Sequence, residues 1–167
     1  MVRVLNAEDA DAFRALRLEG LRDSPTAFGA SYDDELQFTQ GELVHRIDPT
    51  DNSWILGAFD EQNVLIGCIG WYRARGEKVS HKSHIWGMYV TPRHRRKGIA
   101  RALATAVIER VRTNASVRQV ELFVASGNND AASLYQGLGF GRVAVHPRSL
   151  FVNGRYIDEE LFVLYMA

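Results

Sequence analysis

The chain has 167 residues, of which 46% are apolar and 24% charged, and its 20 Lys and Arg balance its 20 Asp and Glu. This length and composition predict a single globular domain and exclude a disordered chain, a collagen-like fibre and a coiled-coil rod. A net charge of zero also argues against the overall basicity of a general nucleic-acid binder.

The charges are unevenly distributed along the chain. Residues 1–83 carry 14 acidic and 9 basic side chains, whereas residues 84–167 carry 6 acidic and 11 basic ones. An excess of this size is compatible with chance scatter, and it is equally compatible with a protein that holds an anion with one half and a cation with the other.

Cys68 is the single cysteine, and it lies within an apolar run. One cysteine cannot form an intramolecular disulfide, so a reducing compartment is expected. The longest apolar stretch has about nine residues, against roughly 20 for a bilayer span. The N-terminus becomes acidic at Glu8 without the apolar region of a signal peptide. We therefore expect a cytoplasmic protein that does not bind membranes.

The first third of the chain predicts one strand and three helical segments. Residues 2–5 are typical of a strand, and residues 6–22 of a helix that begins with a capping asparagine. Ser31 caps a second helical piece, and Thr39 opens a capping box for a short helix that ends near Ile47.

The rest of the chain alternates strands with two more helices. Strands are predicted over residues 54–59, 64–72, 84–90, 119–125, 140–145 and 156–166, and helices over residues 98–113 and 129–138. The first two of these strands form a hairpin, and the strand, helix and strand in the centre form a parallel crossover. The predicted fold class is α/β, with a single domain built on a mixed, mostly antiparallel sheet flanked by helices.

The loop between the strand ending at Val90 and the helix beginning at Gly98 is the most informative segment. Helix N-termini offer unpaired N–H groups and a partial positive charge to phosphates, and a glycine lets the backbone approach a ligand closely. Five cations and no acid stand within nine residues, namely Arg93, Arg95, Arg96, Lys97 and Arg101. A solvated charged face is the alternative, whereas a nucleic-acid patch lacks its aromatic residues here and a P-loop motif is missing.

Two motifs resemble those of the GNAT superfamily of acyl-CoA-dependent N-acetyltransferases. Residues 95–100, Arg-Arg-Lys-Gly-Ile-Ala, match the pattern [RQ]-x-x-G-x-[GA] after a strand and at the start of a helix. Asn128 follows the next strand, and Tyr135 comes seven residues later in Tyr-x-x-x-Gly-Phe, which is similar to the second signature of the family. The order of elements is also similar over nearly the whole chain.

The resemblance implies an enzyme that transfers the acetyl group of acetyl-CoA to a primary amine by direct attack in a ternary complex. It implies one N-acetyltransferase domain over residues 1–167, with residues 88–140 as the acetyl-CoA-binding and catalytic core. The acceptor site would come from residues 1–50 and 146–167. No metal is expected. The alternatives are a non-catalytic acyl-CoA-binding module and a transferase of a longer acyl group.

The resemblance also assigns residues to acetyl-CoA. Backbone amides of the strand before the loop would bind the pantetheine arm and polarise the thioester carbonyl, and those of the loop would hold the pyrophosphate. The cofactor-binding set is Met88, Tyr89, Val90, Arg95, Arg96, Lys97, Gly98, Ile99, Ala100, Arg101 and Asn128. A plain helix cap is the alternative role for Asn128.

Two catalytic residues are predicted. The resemblance implies that Tyr135 acts as the general acid that protonates the departing CoA thiolate, with a core aromatic as the alternative. His84 is the candidate general base, because it lies four residues before Met88, where some histone-type members of the family carry their catalytic Glu. Strand alternation also places it on one face with Trp86 and Met88. Glu121 on the next strand and ordered water are the other candidates.

The acceptor is expected at the variable parts of the fold. The candidate residues are Phe28, Tyr32, Asp33, Asp34 and Glu35, then Trp71, Tyr72 and Arg73, and finally Arg155, Tyr156, Ile157 and Asp158. Acids there would pair with a cationic amine, or they would only complement a helix dipole. The partners are therefore acetyl-CoA and an amine, and the apolar closing strand over residues 160–165 also suits a homodimer.

Overall fold

A computed structural model describes residues 1–166. The strands are β1 (Val2–Val4), β2 (Ser53–Phe59), β3 (Leu65–Arg73), β4 (Lys82–Val90), β5 (Gln119–Ala125), β6 (Gly141–Val152) and β7 (Arg155–Tyr165). The α-helices are α1 (Ala10–Asp23), α2 (Tyr32–Leu36), α3 (Gln40–Ile47), α4 (Ile99–Arg112) and α5 (Asn129–Gln136).

All seven strands form one sheet in the order β1-β2-β3-β4-β5-β7-β6. Every neighbouring pair is antiparallel except β4 and β5, which are parallel and joined through α4. This confirms the predicted mixed, mostly antiparallel sheet flanked by helices, and it confirms the central parallel crossover.

Two apolar clusters cover the two faces of the sheet. On one face α4 packs through Leu103, Val107 and Val111, and α5 adds Tyr135 to the same cluster. On the other face α1 packs through Phe13 and Leu16 against β2, β3 and β4. The amphipathic pattern of both long helices explains this arrangement, since each turns one apolar stripe to the sheet.

A bulge in β4 changes which side chains share a face. Gly70 pairs with Trp86, but Cys68, two residues away, pairs with Tyr89, so β4 holds one extra residue there. Gly87 lies in the bulge with a left-handed φ of 63°. Trp86 therefore packs with the α1 cluster, whereas Met88 packs with the α4 cluster. The prediction that strand alternation puts His84, Trp86 and Met88 on one face is wrong for Met88.

The β6–β7 hairpin is longer than predicted, since β6 continues to Val152 and β7 already begins at Arg155. The turn is Asn153-Gly154, with φ values of 49° and 77°. An Asn-Gly pair with two positive φ values is the favoured two-residue hairpin turn, so the sequence itself indicates a turn at this position. The pattern was obscured because the pairing register shifts between His146 and Leu150 and most of β6 is exposed.

Cys68 is buried in the α1 cluster. Burial raises the pKa of its thiol to about 12, so the group stays neutral, and its Sγ donates to the Gly87 carbonyl over 3.5 Å. Within residues 1–166 no helix is long and apolar enough to cross a membrane. Over the same described range, no group of three or more His, Cys, Asp or Glu is placed to hold a metal ion.

Gly70 is required by the close packing of Trp86. A Cβ atom at position 70 would lie 2.2 Å from Cε2 of the indole, so the ring would have to move. We expect Gly70→Ala to lower the free energy of unfolding by about 1–3 kcal/mol, the usual cost of overpacking a core. Urea unfolding measures this.

Gly41→Ala is the matched control, because its Cβ would meet no atom within 4 Å in α3. This change is expected to be neutral or to stabilise by up to about 1 kcal/mol, since alanine favours a helix. A Gly70→Ala protein as stable as the wild type would contradict the packing of Trp86 against position 70.

Candidate active site

The sheet opens between its two parallel strands. Register pairs join β4 to β5 only at Lys82, Ser83 and His84, opposite residues 119–121. Beyond these pairs β4 runs on to Val90 and β5 to Ala125 without pairing to each other. The two strands thus diverge at the centre of the sheet and leave one edge of each free.

A cavity of about 80 Å³ fills this opening. Its lining comes from residues 85–88 of β4, residues 122–125 of β5, the loop residues Ala27 and Phe28, and Asn128, Ala131 and Tyr135 of the α5 segment. The opening is therefore reached by side chains from both faces of the sheet. The predicted residues Met88, Asn128 and Tyr135 meet here, although they come from separate parts of the sequence.

A groove of about 520 Å³ runs between the starts of α4 and α5. Its lining includes seven of the predicted cofactor residues, namely Val90, Arg95, Arg96, Gly98, Ile99, Ala100 and Arg101. Gly98 caps α4 with φ 79° and ψ 0°, and Arg96 has a left-handed φ of 61°. Such turns direct successive N–H groups to one side and form concave anion sites at helix N-termini. No heavy atom lies within 4 Å of a Cβ built at Gly98, so the space in front of this backbone is open and suits a phosphate group.

The basic side chains of this loop differ in their contacts. Arg95 points toward α1, where it pairs with Asp23, donates to the Val90 carbonyl over 2.9 Å and lies over the Tyr89 ring. Its guanidinium lowers the pKa of the Asp23 carboxyl. Arg96 makes an exposed pair with Asp130 at 2.9 Å. Arg95 thus links the loop to α1 and β4, whereas Arg96 lines the open groove.

Strand alternation divides the β4 amides between the two neighbouring strands. The Thr91 amide donates to the Ile66 carbonyl of β3 over 2.9 Å. Since alternate amides of a strand point to the same side, that of Tyr89 also faces β3, and those of Met88 and Val90 face the opening. The Tyr89 side chain packs in the α1 cluster and its hydroxyl donates to Glu19.

Asn128 and Tyr135 lie at the α5 side of the cavity. Asn128 caps α5, since its Oδ1 accepts from the Ala131 amide over 3.2 Å. Asn128 also lines the cavity, and its NH₂ group is left free to donate by the capping bond that Oδ1 accepts. Tyr135 is 5% exposed and its ring meets Phe140 edge-on at 5.5 Å. Burial raises the pKa of Tyr135, so the phenol is protonated at neutral pH.

His84 and Glu121 are neighbours across the last pair of the parallel strands. Nδ1 of His84 lies 3.7 Å from Oε2 of Glu121, and the imidazole stacks on Tyr72. Glu121 also pairs with Lys82 at 3.1 Å and accepts from Gln119 over 2.5 Å. Desolvation lowers the pKa of His84 despite the opposing charge of Glu121. The pair stands one residue before the cavity, and the imidazole is on the α1 face with Trp86.

Part of the predicted acceptor set gathers at a second groove, of about 430 Å³. It lies between the loop that contains Phe28 and Tyr32 and residues 149–153 of the β6–β7 hairpin. Phe28 lines both this groove and the cavity, so the two spaces adjoin. Residues 1–50 and 146–167 thus meet, but at the outer part of β6 rather than at Arg155–Asp158.

Other predicted acceptor residues lie elsewhere. Trp71 is buried in the α4 cluster, where it stacks on Trp54 at 4.9 Å, so its indole does not face the second groove. Asp33 and Asp34 lie in the first turn of α2. Glu35 is buried and pairs with two arginines, so its charge is already compensated.

Sequence reasoning missed one of these arginines, Arg17. It is 5% exposed and belongs to the buried stripe of α1, between Phe13 and Leu21. A readable signal existed, because residues four apart share a helix face and Arg17 is four residues from both of these apolar neighbours. A charged residue in an apolar stripe points to a buried polar contact.

Known proteins similar to this chain agree with the geometry. A family model described as Acetyltransferase (GNAT) family matches residues 13–140. The spermidine N(1)-acetyltransferase of Vibrio cholerae is 27% identical over 132 residues, which cover 78% of this chain and 72% of that protein.

Two solved structures have the same fold. A GNAT-family acetyltransferase from Streptococcus pneumoniae superposes with a TM-score of 0.86 at 22% identity, over 99% of both chains. A phosphinothricin acetyltransferase from Sinorhizobium meliloti, in complex with AcCoA, superposes with a TM-score of 0.84 at 20% identity, over 100% of this chain and 88% of the other. With the family model matched from the first helix to the end of the site, the chain belongs to the GNAT family of acetyltransferases and is an acyltransferase enzyme.

Proposed function

We propose that the protein transfers the acetyl group of acetyl-CoA to a primary amine by direct attack, with both substrates bound at once. The opening between β4 and β5 is the observation that supports this proposal. Its cavity adjoins the second groove, since Phe28 lines both. The groove beside the α4 N-terminus is lined by Val90 and Asp130, two residues along the chain from Met88 and Asn128 of the cavity. A thioester and an amine approaching from these two sides would meet at the cavity.

The residues that would hold acetyl-CoA are on the α4 and α5 face. Backbone amides from Arg96 to Arg101 would bind the pyrophosphate, with Lys97 and Arg96 adding charge. The amides of Met88 and Val90 would bond the pantetheine arm and the thioester carbonyl, and the NH₂ group of Asn128 would bond the same arm. When bound, acetyl-CoA supplies an activated acetyl thioester.

Two protons must move for the reaction to balance. The amine nitrogen forms a bond to the acetyl carbonyl carbon, the carbon–sulfur bond breaks, and CoA leaves as a thiolate. We assign protonation of that thiolate to the hydroxyl of Tyr135, a residue that lines the cavity. We assign acceptance of the amine proton to His84, supported by Glu121. Because His84 stands beside the cavity and not in it, one bridging water would carry the proton.

The pH dependence of kcat tests His84. A base must be neutral to accept a proton, and desolvation lowers the pKa of this imidazole below its ordinary value of 6.5. We therefore expect kcat to fall on the acid side of pH 6.5, as His84 becomes protonated. In His84→Gln the rate should drop by about 100-fold or more, and the acid limb that belongs to His84 should vanish.

His45→Gln is the control for this experiment, since His45 is exposed on α3. An acid limb that persists in His84→Gln but vanishes in Glu121→Gln would make Glu121 the base. A limb that survives both substitutions would assign the proton to water.

An acceptor screen tests the function as a whole. Purified protein, acetyl-CoA and a panel of amines would be assayed for release of the CoA thiol. We expect turnover with at least one class among amino acids, polyamines, aminoglycosides and peptide amines. Acetyl-CoA binding without turnover of any amine would instead support a non-catalytic acyl-CoA-binding module. Faster turnover with a longer acyl-CoA than with acetyl-CoA would make the longer acyl-CoA the donor.

Spermidine belongs in this panel, because the relative from Vibrio cholerae is named for it. We further propose that residues 88–140 form the acetyl-CoA-binding and catalytic core of one domain over residues 1–167. A cytoplasmic location, supported by the lone buried Cys68, and a homodimer remain predictions for fractionation and sedimentation experiments.

A further inference from the structure

Arg17 is a buried cation with an unused donor. Its Nε lies 3.3 Å from Oε1 of Glu35, and its side chain is 6% exposed. Its Nη1 is buried and has no hydrogen-bond partner. Buried polar groups are nearly always hydrogen-bonded, so an unpaired guanidinium donor calls for a specific explanation.

The unpaired nitrogen lies beside the cavity. A Cβ atom built at Gly87 would lie 3.6 Å from Nη1 of Arg17. Apart from the neighbours of Gly87 in the chain, no other heavy atom lies within 4 Å of that position. Gly87 itself lines the cavity at the bulge of β4. The side-chain space left by this glycine is therefore a small gap between the reaction cavity and the free donor.

Aromatic rings enclose the same guanidinium. Its Cζ lies 4.9 Å from the ring centre of Phe28 and 5.7 Å from that of Trp86. Phe28 also lines both the cavity and the groove between the α1–α2 loop and the β6–β7 hairpin. Arg17 is thus separated from the acceptor space by one half-buried ring that belongs to a loop.

The charge around Arg17 is positive. Glu35 is the carboxylate in this cluster, and Arg46 already binds both of its oxygens at 2.7 and 2.9 Å. The other titratable neighbour, Cys68, has its pKa raised by burial and stays neutral. Two guanidinium groups therefore face one carboxylate, and one buried positive charge is left over.

We propose that Arg17 binds a carboxylate of the acceptor, so the amine substrate is a free amino acid or a similar amino carboxylate. The inference rests on the proposed acetyl transfer and names its substrate class. The carboxylate would accept from Nη1 in the gap at Gly87, once the Phe28 ring turns aside. This would complete the hydrogen bonds of the guanidinium and neutralise the surplus charge. A polyamine would instead bring more positive charge to a site that already has an excess.

Matched pairs of acceptors test the inference. The kcat/KM for acetyl transfer would be measured with L-amino acids, with the amines obtained by removing their carboxylates, and with spermidine. We expect amino acids to exceed their decarboxylated partners by about 10- to 100-fold, the usual range for one hydrogen bond to a charged group. Spermidine should be poorer still.

Variants at position 17 assign the preference to Arg17. Arg17→Met should bring kcat/KM for the amino acids down to that of the decarboxylated amines, while the KM for acetyl-CoA and the rate with the decarboxylated amines stay unchanged. In this variant Glu35 keeps Arg46, whose Nη1 donates to both carboxylate oxygens. Arg17→Lys is the second variant. It keeps the positive charge but loses the planar guanidinium group that binds a carboxylate through two N–H groups, so we expect its kcat/KM to fall by at least about tenfold with amino acids only. Arg14→Met, on the same helix, is the control and should leave the ratio unchanged.

Several results would overturn the proposal. One is an equal rate with both members of each pair, and another is a preference for spermidine or a peptide amine while acetyl transfer itself stands. A preference that persists in Arg17→Met would also contradict it. Equal loss for all amines in both Arg17 variants, with unchanged melting temperatures, would make the residue a general support of the site. If no amine is turned over, the proposed function fails and the inference fails with it.

Discussion

Replacing Tyr135 with phenylalanine is expected to lower kcat by about 10²- to 10⁴-fold, the usual contribution of a general acid. Tyr135 lines the cavity in which, on the proposed mechanism, the thiolate would leave. Burial raises the pKa of Tyr135, so its proton is in place at neutral pH. The substitution keeps the ring and its edge contact with Phe140. Affinity for acetyl-CoA, measured by calorimetry, should therefore not change.

Tyr165→Phe is the matched control, since Tyr165 is 70% exposed at the end of β7. It removes the same hydroxyl from a position far outside the cavity lining and should leave kcat unchanged. Wild-type kcat in Tyr135→Phe across the pH range would assign protonation of the thiolate to water or to another group. A loss of acetyl-CoA affinity in place of kcat would make Tyr135 a binding residue.

Gly98→Val is expected to raise the Kd for acetyl-CoA by at least about 100-fold, because it combines lost hydrogen bonds to phosphate with backbone strain. Position 98 has φ 79°, a conformation that a β-branched residue adopts only at a cost. The valine side chain would also project into the open space in front of the α4 N-terminus. Calorimetric titration with acetyl-CoA measures the change.

The chain offers a close control at Gly154. Its φ is 77° and a Cβ there would also meet no atom within 4 Å, but it lies in the turn of the β6–β7 hairpin. Gly154→Val should cost similar stability and leave acetyl-CoA affinity unchanged. Equal Kd values for acetyl-CoA in the two variants would show that Gly98 is not part of the phosphate site.

Regular periodicity made the core elements predictable. The helix expected over residues 98–113 is Ile99–Arg112, and the strand expected over residues 119–125 is Gln119–Ala125. Each element has a regular apolar pattern and residues that mark its start and end, and both features can be read from the local sequence. The loop before α4 was likewise readable, because glycine and a cluster of cations stand where a strand meets a helix.

Features that depend on pairing between distant segments were not predictable in the same way. The bulge at Gly87 exists because β4 has one more residue than β3 between two matched pairs, and a single strand does not show this. Glu35 looked like an acid available to a cationic amine, yet Arg17 and Arg46 from two other helices compensate it. In both cases the deciding partner is remote in sequence.

The two sides of the cavity are formed by segments that lie far apart in the sequence. The α1 face is reached by Ala27 and Phe28, which come early in the chain, and the α5 face by Asn128, Ala131 and Tyr135, which come late. On the proposed assignment, the early segment selects the amine together with residues 149–153 of the β6–β7 hairpin, and the α5 segment holds the donor. We therefore expect substitutions in these two acceptor segments to change the acceptor while the residues proposed for acetyl-CoA stay the same, so exchange of both segments between relatives would be a direct route to new acceptors.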